Sequence, residues 1–431
     1  MRKLNIAILS EQVTIPSSPE QVHVTSGSII DYDAADELGD LSIAMTDLKY
    51  IDDVIGQAVD AAQELIEEEQ AVEQVSQDGA SQAALESLQR NVNCLLKQVG
   101  FEQGATFAIG AYSNKKHNKI ALESAKAEIK SFLIRIWEAI KAAINKTMEM
   151  VDAIFKNIFD LSRRIKKSSE RVKEIASSKK GKVHLSETKV GSHTLAKYAR
   201  FNNKPLLPGD LVNNFDTWTA HNYNFIESLA GKESLQEYKK FIEMAAVLFN
   251  KLGVSPEDAQ PLKKETDSMG DLFLKRLIDN FDYHKEGIHT TKPFIGDVHY
   301  KFSEVDLSFE IEKEDKYVTI KSEGTHLPFT AEQVIEMCEK LSSHMDTYNS
   351  INKHFDGLDK IKNSINKIAN EVIAEKNDSS LVNRKLISSS VSFVVKLFID
   401  AIRKVGVGAR EYDLHMCNAI LQWCGLSINS L

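Results

Sequence analysis

The chain has 431 residues with 62 Asp and Glu against 53 Lys and Arg, a formal net charge of −9 and a length that predicts roughly two to four structural units. Its 42% hydrophobic and 8% aromatic content excludes a disordered polyelectrolyte, and it holds no run of about 18 uncharged apolar residues from which a membrane span could form. Cys94, Cys338, Cys417 and Cys424 form no CxxC pair and match neither zinc-finger nor disulfide-framework spacing, so reduced thiols are expected.

The N-terminal MRKLNIAILSEQ opens with two positive charges, but Asn5 interrupts its apolar stretch, which ends at Ser10, too short for a secretory signal and better read as a strand or short helix. Residues 1–86 hold 18 acids and three bases (Arg2, Lys3, Lys49), a net of −15; the remaining 44 acids and 50 bases give residues 87–431 a net of +6. An acidic arm thus precedes a mildly basic body, either as a solvated helix pair or as a tail covering a basic surface until it is removed. From Asp31 to about Gln77, Ile51, Val54, Ile55, Val59, Leu65 and Ile66 give intermittent helical spacing. ALESLQRNVNCLLKQVGF then predicts an amphipathic helix, and GATFAIGAYSNKKHNK a loop.

Residues 122–176 carry the strongest periodic signal. Ile129, Phe132, Leu133, Ile136, Trp137, Ile140, Ile144, Met148, Val151, Phe155, Ile158, Leu161 and Ile165 recur mostly at steps of three and four, with Lys141, Lys146, Lys156, Arg163, Arg164, Lys166 and Lys167 opposite and no Pro or Gly between. A helix of about fifty residues, near 75 Å long, is predicted, and its stripe requires a partner. SSKKGKVHLSETKVGSHTLAKYARFNNKPLLPGD reads as a linker with short strands. Helices are expected over Leu211–Leu252 and Pro256–Phe281, the second capped by SPED. Alternation at Val298, Tyr300 and Phe302, at Leu307, Phe309 and Ile311, and at Val318 and Ile320 predicts a small antiparallel meander. Helices resume at FTAEQVIEMCEKL and run through 330–375 and 384–424. The fold class is therefore mainly α: a long amphipathic helix in a helical bundle with a small antiparallel β meander. The expected units are an acidic leader at 1–123, the long basic helix at 124–178, a linker with short strands at 179–215, a helical region at 216–290, the meander at 291–327 and a C-terminal helical region at 328–431.

No phosphate-binding GxxxxGK, HExxH, GxSxG or strand-borne GxGxxG is present, so no catalytic residue, cofactor or metal is assigned. Gly406-Val407-Gly408 follows an amphipathic helix and reads as a helix break. Asp282, His284, Glu286 and His289 can be sketched as a metal site, but their spacing fits no familiar ligand pattern and Gly287 interrupts them. His415, Cys417 and Cys424 sit among Leu414, Met416, Ile420, Leu421 and Trp423, a packed apolar end. The basic cluster Arg163, Arg164, Lys166, Lys167, Arg171 and Lys173 is the candidate contact for DNA or a partner; with no aromatic stacking platform, its contact with DNA would be non-specific and salt-dependent. The residue 129–165 stripe and VSFVVKLFIDAI (Val391–Ile402) leave open a second reading, a membrane-active helical protein.

The acidic leader, the AlaLeuGluSer element, the long helix KSFLIRIWEAIKAAINKTMEMVDAIFKNIF and the following KVGSHTLAKYARFNNKPLLPGDLV together resemble the internal head proteins of large tailed bacteriophages, over roughly residues 40–215. The resemblance implies a non-enzymatic virion protein packed inside the capsid with other head proteins, made in the host cytoplasm, with delivery alongside the genome left open. It also implies a leader removed by a prohead protease that cuts after Glu in a Ser/Ala-X-Glu context. Glu86 before Ser87 and Glu123 before Ser124 match, Ala71-Val72-Glu73 matches more weakly, and Ser168-Ser169-Glu170 falls inside the long helix. Glu123, placed at the junction of loop and helix, is the favoured position. Cutting there removes 20 acids and eight bases, a net of −12, and leaves +3.

Overall fold

The computed structural model describes residues 82–98, 115–185, 188–202, 204–250, 270–313, 326–348 and 400–431, with isolated positions within 56–68 and at 264, 268, 363, 364, 366 and 397. Expectations for residues 1–55, the 101–114 loop, the SPED cap, the Val318–Ile320 strand and most of 349–399 fall outside the described residues.

The described chain is mainly helical, with two small antiparallel sheets. Helix α1 is Gln82–Gln98, and α2 runs unbroken for 64 residues from Lys115 to Ser178, about 96 Å at the usual rise. Its length has a simple cause. The sequence from Lys115 to Ser178 contains no Pro or Gly, and Ile129, Ile136, Ile140, Ile144, Val151, Phe155, Ile158, Ile165 and Val172 keep one face buried throughout. The helix begins earlier than the stripe predicts. KKHNKIALE offers no stop signal, so helix propagates back to Lys115, and residues 115–123, expected in the leader, join α2.

Helix α3 (His193–Tyr198) is capped by Ser192, whose hydroxyl accepts from the Leu195 amide at 3.1 Å. A two-residue hairpin follows, β1 (Arg200–Phe201) with β2 (Lys204–Pro205), then α4 (Pro208–Ala230), which starts with Pro in the first turn, and α5 (Lys232–Asn250). The expected linker at 179–215 is therefore structured over much of its length.

The four-stranded sheet is a meander in chain order: β3 (Tyr283–Lys285), β4 (Ile288–Thr290), β5 (Val298–Ser303) and β6 (Ser308–Lys313). The alternation read in the sequence is the β5 pattern, with Val298, Tyr300 and Phe302 buried and His299, Lys301 and Ser303 half-buried; Phe302 pairs with Phe309 and Tyr300 with Ile311. The sheet nevertheless starts at Tyr283, inside the stretch read as helical to 290. Strands of three residues carry too little alternation to be recognised. Their turn, Glu286-Gly287, has both φ values positive, at 51° and 75°, the conformation a two-residue hairpin needs.

Helix α6 (Ala331–Thr347) opens with a reciprocal capping box between Thr330 and Gln333. A nine-residue π-helical segment, Ala401–Ala409, continues directly into α7 (Arg410–Asn429). Gly406 and Gly408 thus lie within a continuous helix, not at a break. A Cβ on Gly406 would lie 3.2 Å from that of Ala230, so glycine permits the close crossing of α4, and the Arg410 side chain donates to the Gly406 carbonyl at 2.6 Å.

The core lies where α6 and α7 pack on α2, with α4 and the π segment behind them and β6 against the π segment. Lys166 pairs with Asp346 at 2.6 Å and Lys173 with Glu339 at 2.7 Å, clamping α2 to α6. Lys179 donates to the Ile428 carbonyl at 2.7 Å, placing a cation at the α7 C-terminus where the helix dipole favours it. Gly296 has φ 86°, and a Cβ there would overlap the Tyr412 hydroxyl. Gly296→Ala is therefore expected to destabilise the protein by about 2–4 kcal/mol through strain and overpacking, read as a lower urea midpoint at unchanged m value.

Candidate functional site

The sequence singled out two sets of residues, and the fold treats them differently. Glu86 and Ser87 are the fifth and sixth residues of α1, and both are exposed. Glu123 and Ser124 are the ninth and tenth residues of α2, the first exposed and the second half-buried. The junction that favoured Glu123 therefore lies at Lys115, about two helical turns upstream. Ser168-Ser169-Glu170 is helical as expected, with Ser169 fully buried and donating to the Ile165 carbonyl at 2.8 Å. Ala71-Val72-Glu73 falls outside the described residues.

The six basic positions divide into two groups. Lys166 and Lys173 pair with the α6 carboxylates Asp346 and Glu339. Arg163, Arg164, Lys167 and Arg171 are exposed on the outer face of α2, with the Arg163 guanidinium 5.6 Å from the centre of the Phe159 ring. Arg163, Arg164, Lys166 and Lys167 line an open groove of about 720 Å³ between α2 and the end of α6. Asp160, Glu170 and Asp346 line it too, so the groove carries both signs of charge.

The histidine loop does not assemble as sketched. Asp282 turns to Lys292, accepting from its amide at 2.8 Å and meeting its ammonium at 3.1 Å. His284 and His289 meet at 2.7 Å through their Nδ1 atoms, and His289 reaches Glu304 at 2.5 Å. His415 stacks on Tyr198 with ring centroids 5.4 Å apart, and Cys424 is buried.

A polar node in the core escaped the sequence reading. Asp413, 2% exposed on α7, accepts from the Tyr348 hydroxyl at 2.6 Å and from the Asn222 amide at 3.3 Å, and its other contact is His344 Nε2 at 2.6 Å. Asn222 in turn accepts from the Tyr300 hydroxyl at 3.1 Å, so one carboxylate ties α4, β5, α6 and α7 together. Its signal in the sequence is an acid on an otherwise apolar α7 face, but its partners are remote. Among the described residues, His344, Asp413 and Cys417 are the one grouping of three metal-type donors, with ligand atoms within 4.8 Å of one another.

Burial pushes the Asp413 carboxyl up, but the charge and hydrogen bonds of His344, with those of Tyr348 and Asn222, outweigh it and hold it below 3.8. Burial likewise pulls His344 down, and the Asp413 charge and hydrogen bond leave it above 6.5. The Asp413 contribution is present above pH 3.8 and lost as pH falls through its folded value; the His344 contribution is complete below pH 6.5 and lost as pH rises through its folded value. The node thus stabilises most from about pH 4 to about pH 6.5. Asp413→Asn, which leaves His344 buried without its counter-charge, is expected to cost about 3–5 kcal/mol in urea unfolding, with a smaller loss at about pH 8.5 than at about pH 5.5.

Among the described residues, no helix is long and apolar enough to cross a membrane. VSFVVKLFIDAI falls mostly outside them; its described members Leu397, Asp400, Ala401 and Ile402 are buried. No curated protein and no solved structure matches the chain. The family model of phiKZ-like phage internal head proteins matches residues 35–408, covering the long basic helix and the meander, and the chain belongs to that family.

Proposed function

We propose that this internal head protein is matured inside the capsid by removal of its acidic leader, and that the outer face of α2 then contacts packaged DNA. The observation that carries this is the division of charge. Residues 1–86 have a net of −15 and the remainder +6, while Arg163, Arg164, Lys167 and Arg171 present four exposed cations on a helix packed against α6 and α7. An acidic arm in cis competes with phosphate for such a face, and cutting it away releases the face.

A protease needs extended backbone, so a helical site must first unwind. Glu86-Ser87, five residues into α1 and exposed on both sides, requires less opening than Glu123-Ser124, nine residues into a much longer helix. Glu86 is therefore proposed as the first cut and Glu123 as the second. The prohead protease and neighbouring head proteins are the proposed partners, with assembly in the host cytoplasm and delivery with the genome as later steps.

Peptide mass spectrometry of purified particles tests the maturation step: a non-tryptic N-terminus at Ser87, with or without one at Ser124, is expected. Abundant peptides from residues 1–80 in mature particles would sink it. For the DNA contact, binding of duplex DNA by residues 87–431 should weaken steeply with salt. Neutralising Arg163, Arg164, Lys167 and Arg171 to Gln should lower the salt slope by about 0.9 for each phosphate that is no longer neutralised. Lys166→Gln and Lys173→Gln should instead leave the slope alone and change stability little, since both ion pairs are exposed. Equal slopes for parent and quadruple variant would rule out this face.

A further inference from the structure

We propose that His344, Asp413 and Cys417 form a binding site for one divalent transition-metal ion of the zinc class. Two helices each present a pair of donors one turn apart, at i and i+4: His344 and Tyr348 at the end of α6, Asp413 and Cys417 on α7. The nitrogen, oxygen and sulfur of the three ligands already lie within 4.8 Å of one another, against roughly 3.2–3.7 Å across the edges of a tetrahedral zinc site. Binding requires the His344–Asp413 contact of 2.6 Å to open by less than an ångström, with the ion replacing the proton between them, and the widest separation in the cluster to close by about an ångström. The Tyr348 hydroxyl donates to the same carboxylate oxygen at 2.6 Å.

The outer shell is also in place. Asn222 holds the second oxygen of Asp413 at 3.3 Å and is itself oriented by Tyr300, the kind of support that fixes ligating carboxylates. Charge favours the exchange. Without an ion, imidazolium, carboxylate and neutral thiol sum to zero; with a dication, imidazole, carboxylate and thiolate again sum to zero, and two protons leave. Burial and the Asp413 charge hold the proton on the Cys417 thiol, a disfavoured pairing that a cation would make favourable. The charged groups facing the cluster from neighbouring elements are Asp216 of α4 and Arg410 of α7, with the Tyr300 phenol from β5.

The test uses the full chain, stripped with chelator and titrated with Co²⁺ and then Zn²⁺. One ion per chain is expected, with a thiolate-to-cobalt charge-transfer band that Zn²⁺ abolishes; below the folded pKa of His344 two protons leave and affinity rises about 100-fold per pH unit, and above it one proton leaves and the rise is about tenfold. Cys417→Ser should remove the band and weaken binding at least about tenfold, whereas Cys424→Ser, in the same buried helix, should leave both intact. X-ray absorption of the zinc-loaded parent gives a reading independent of any variant: one sulfur among nitrogen and oxygen neighbours. No retained ion, a band that survives Cys417→Ser, or a shell with no sulfur or with two would overturn the site and leave the cluster a hydrogen-bonded node.

Discussion

The constraint on which the rest of the structure depends is the apolar stripe of α2. A helix of about 96 Å with one face of Ile, Phe, Met and Val cannot leave that face in water, and no short helix can cover it. Covering therefore falls to several elements placed end to end and side by side. Toward the C-terminal end of α2, helices α6 and α7 do this together, and behind them lie α4 and the π segment, on which β6 of the sheet packs. The long helix is less a part of the bundle than its axis.

Apolar packing alone would let α6 and α7 slide along such a rod, because a stripe of similar side chains offers many near-equivalent registers. Discrete polar contacts remove that freedom. Lys166 and Lys173 clamp α6 from outside, and the Asp413 node fixes α7 against α4, α6 and β5 from within. A buried carboxylate is a costly device for stability, since its desolvation offsets much of what its hydrogen bonds contribute. Its geometry, however, is satisfied in one register only, and we read specificity as its structural role.

What was legible in the sequence follows the range of the interactions. The α2 rod could be read because its stripe, its basic face and the absence of Pro and Gly are all local. The β5 strand could be read because Val298, Tyr300 and Phe302 alternate over six residues. The β3–β4 hairpin could not, since three-residue strands leave a Glu-Gly turn as the sole signal. Nor could the start of α2, because residues 115–123 are permissive rather than amphipathic. The node is invisible for another reason: His344 and Asp413 are 69 positions apart, Asn222 and Asp413 are 191 apart, and each alone looks like an ordinary polar residue. Local chemistry drew attention instead to His415, Cys417 and Cys424 as a packed apolar end; His415 stacks and Cys424 packs, whereas Cys417 borders the node.

The same distinction bears on how the charge is used. Lys166 and Lys173 belong to the basic run in sequence, but their pairing with Asp346 and Glu339 makes them part of the clamp, so a count of basic residues overstates the surface offered to a polyanion. The four cations that remain exposed sit at 163, 164, 167 and 171, steps of one, three and four along a helix, which gathers them on one side of the rod. A long helix presenting cations along one side suits a contact that reads spacing of charge rather than sequence. The carboxylates of Asp160 and Glu170 on the same stretch of α2 moderate its field. In the proposed DNA contact, a face of mixed sign would hold phosphate more weakly than a purely basic one.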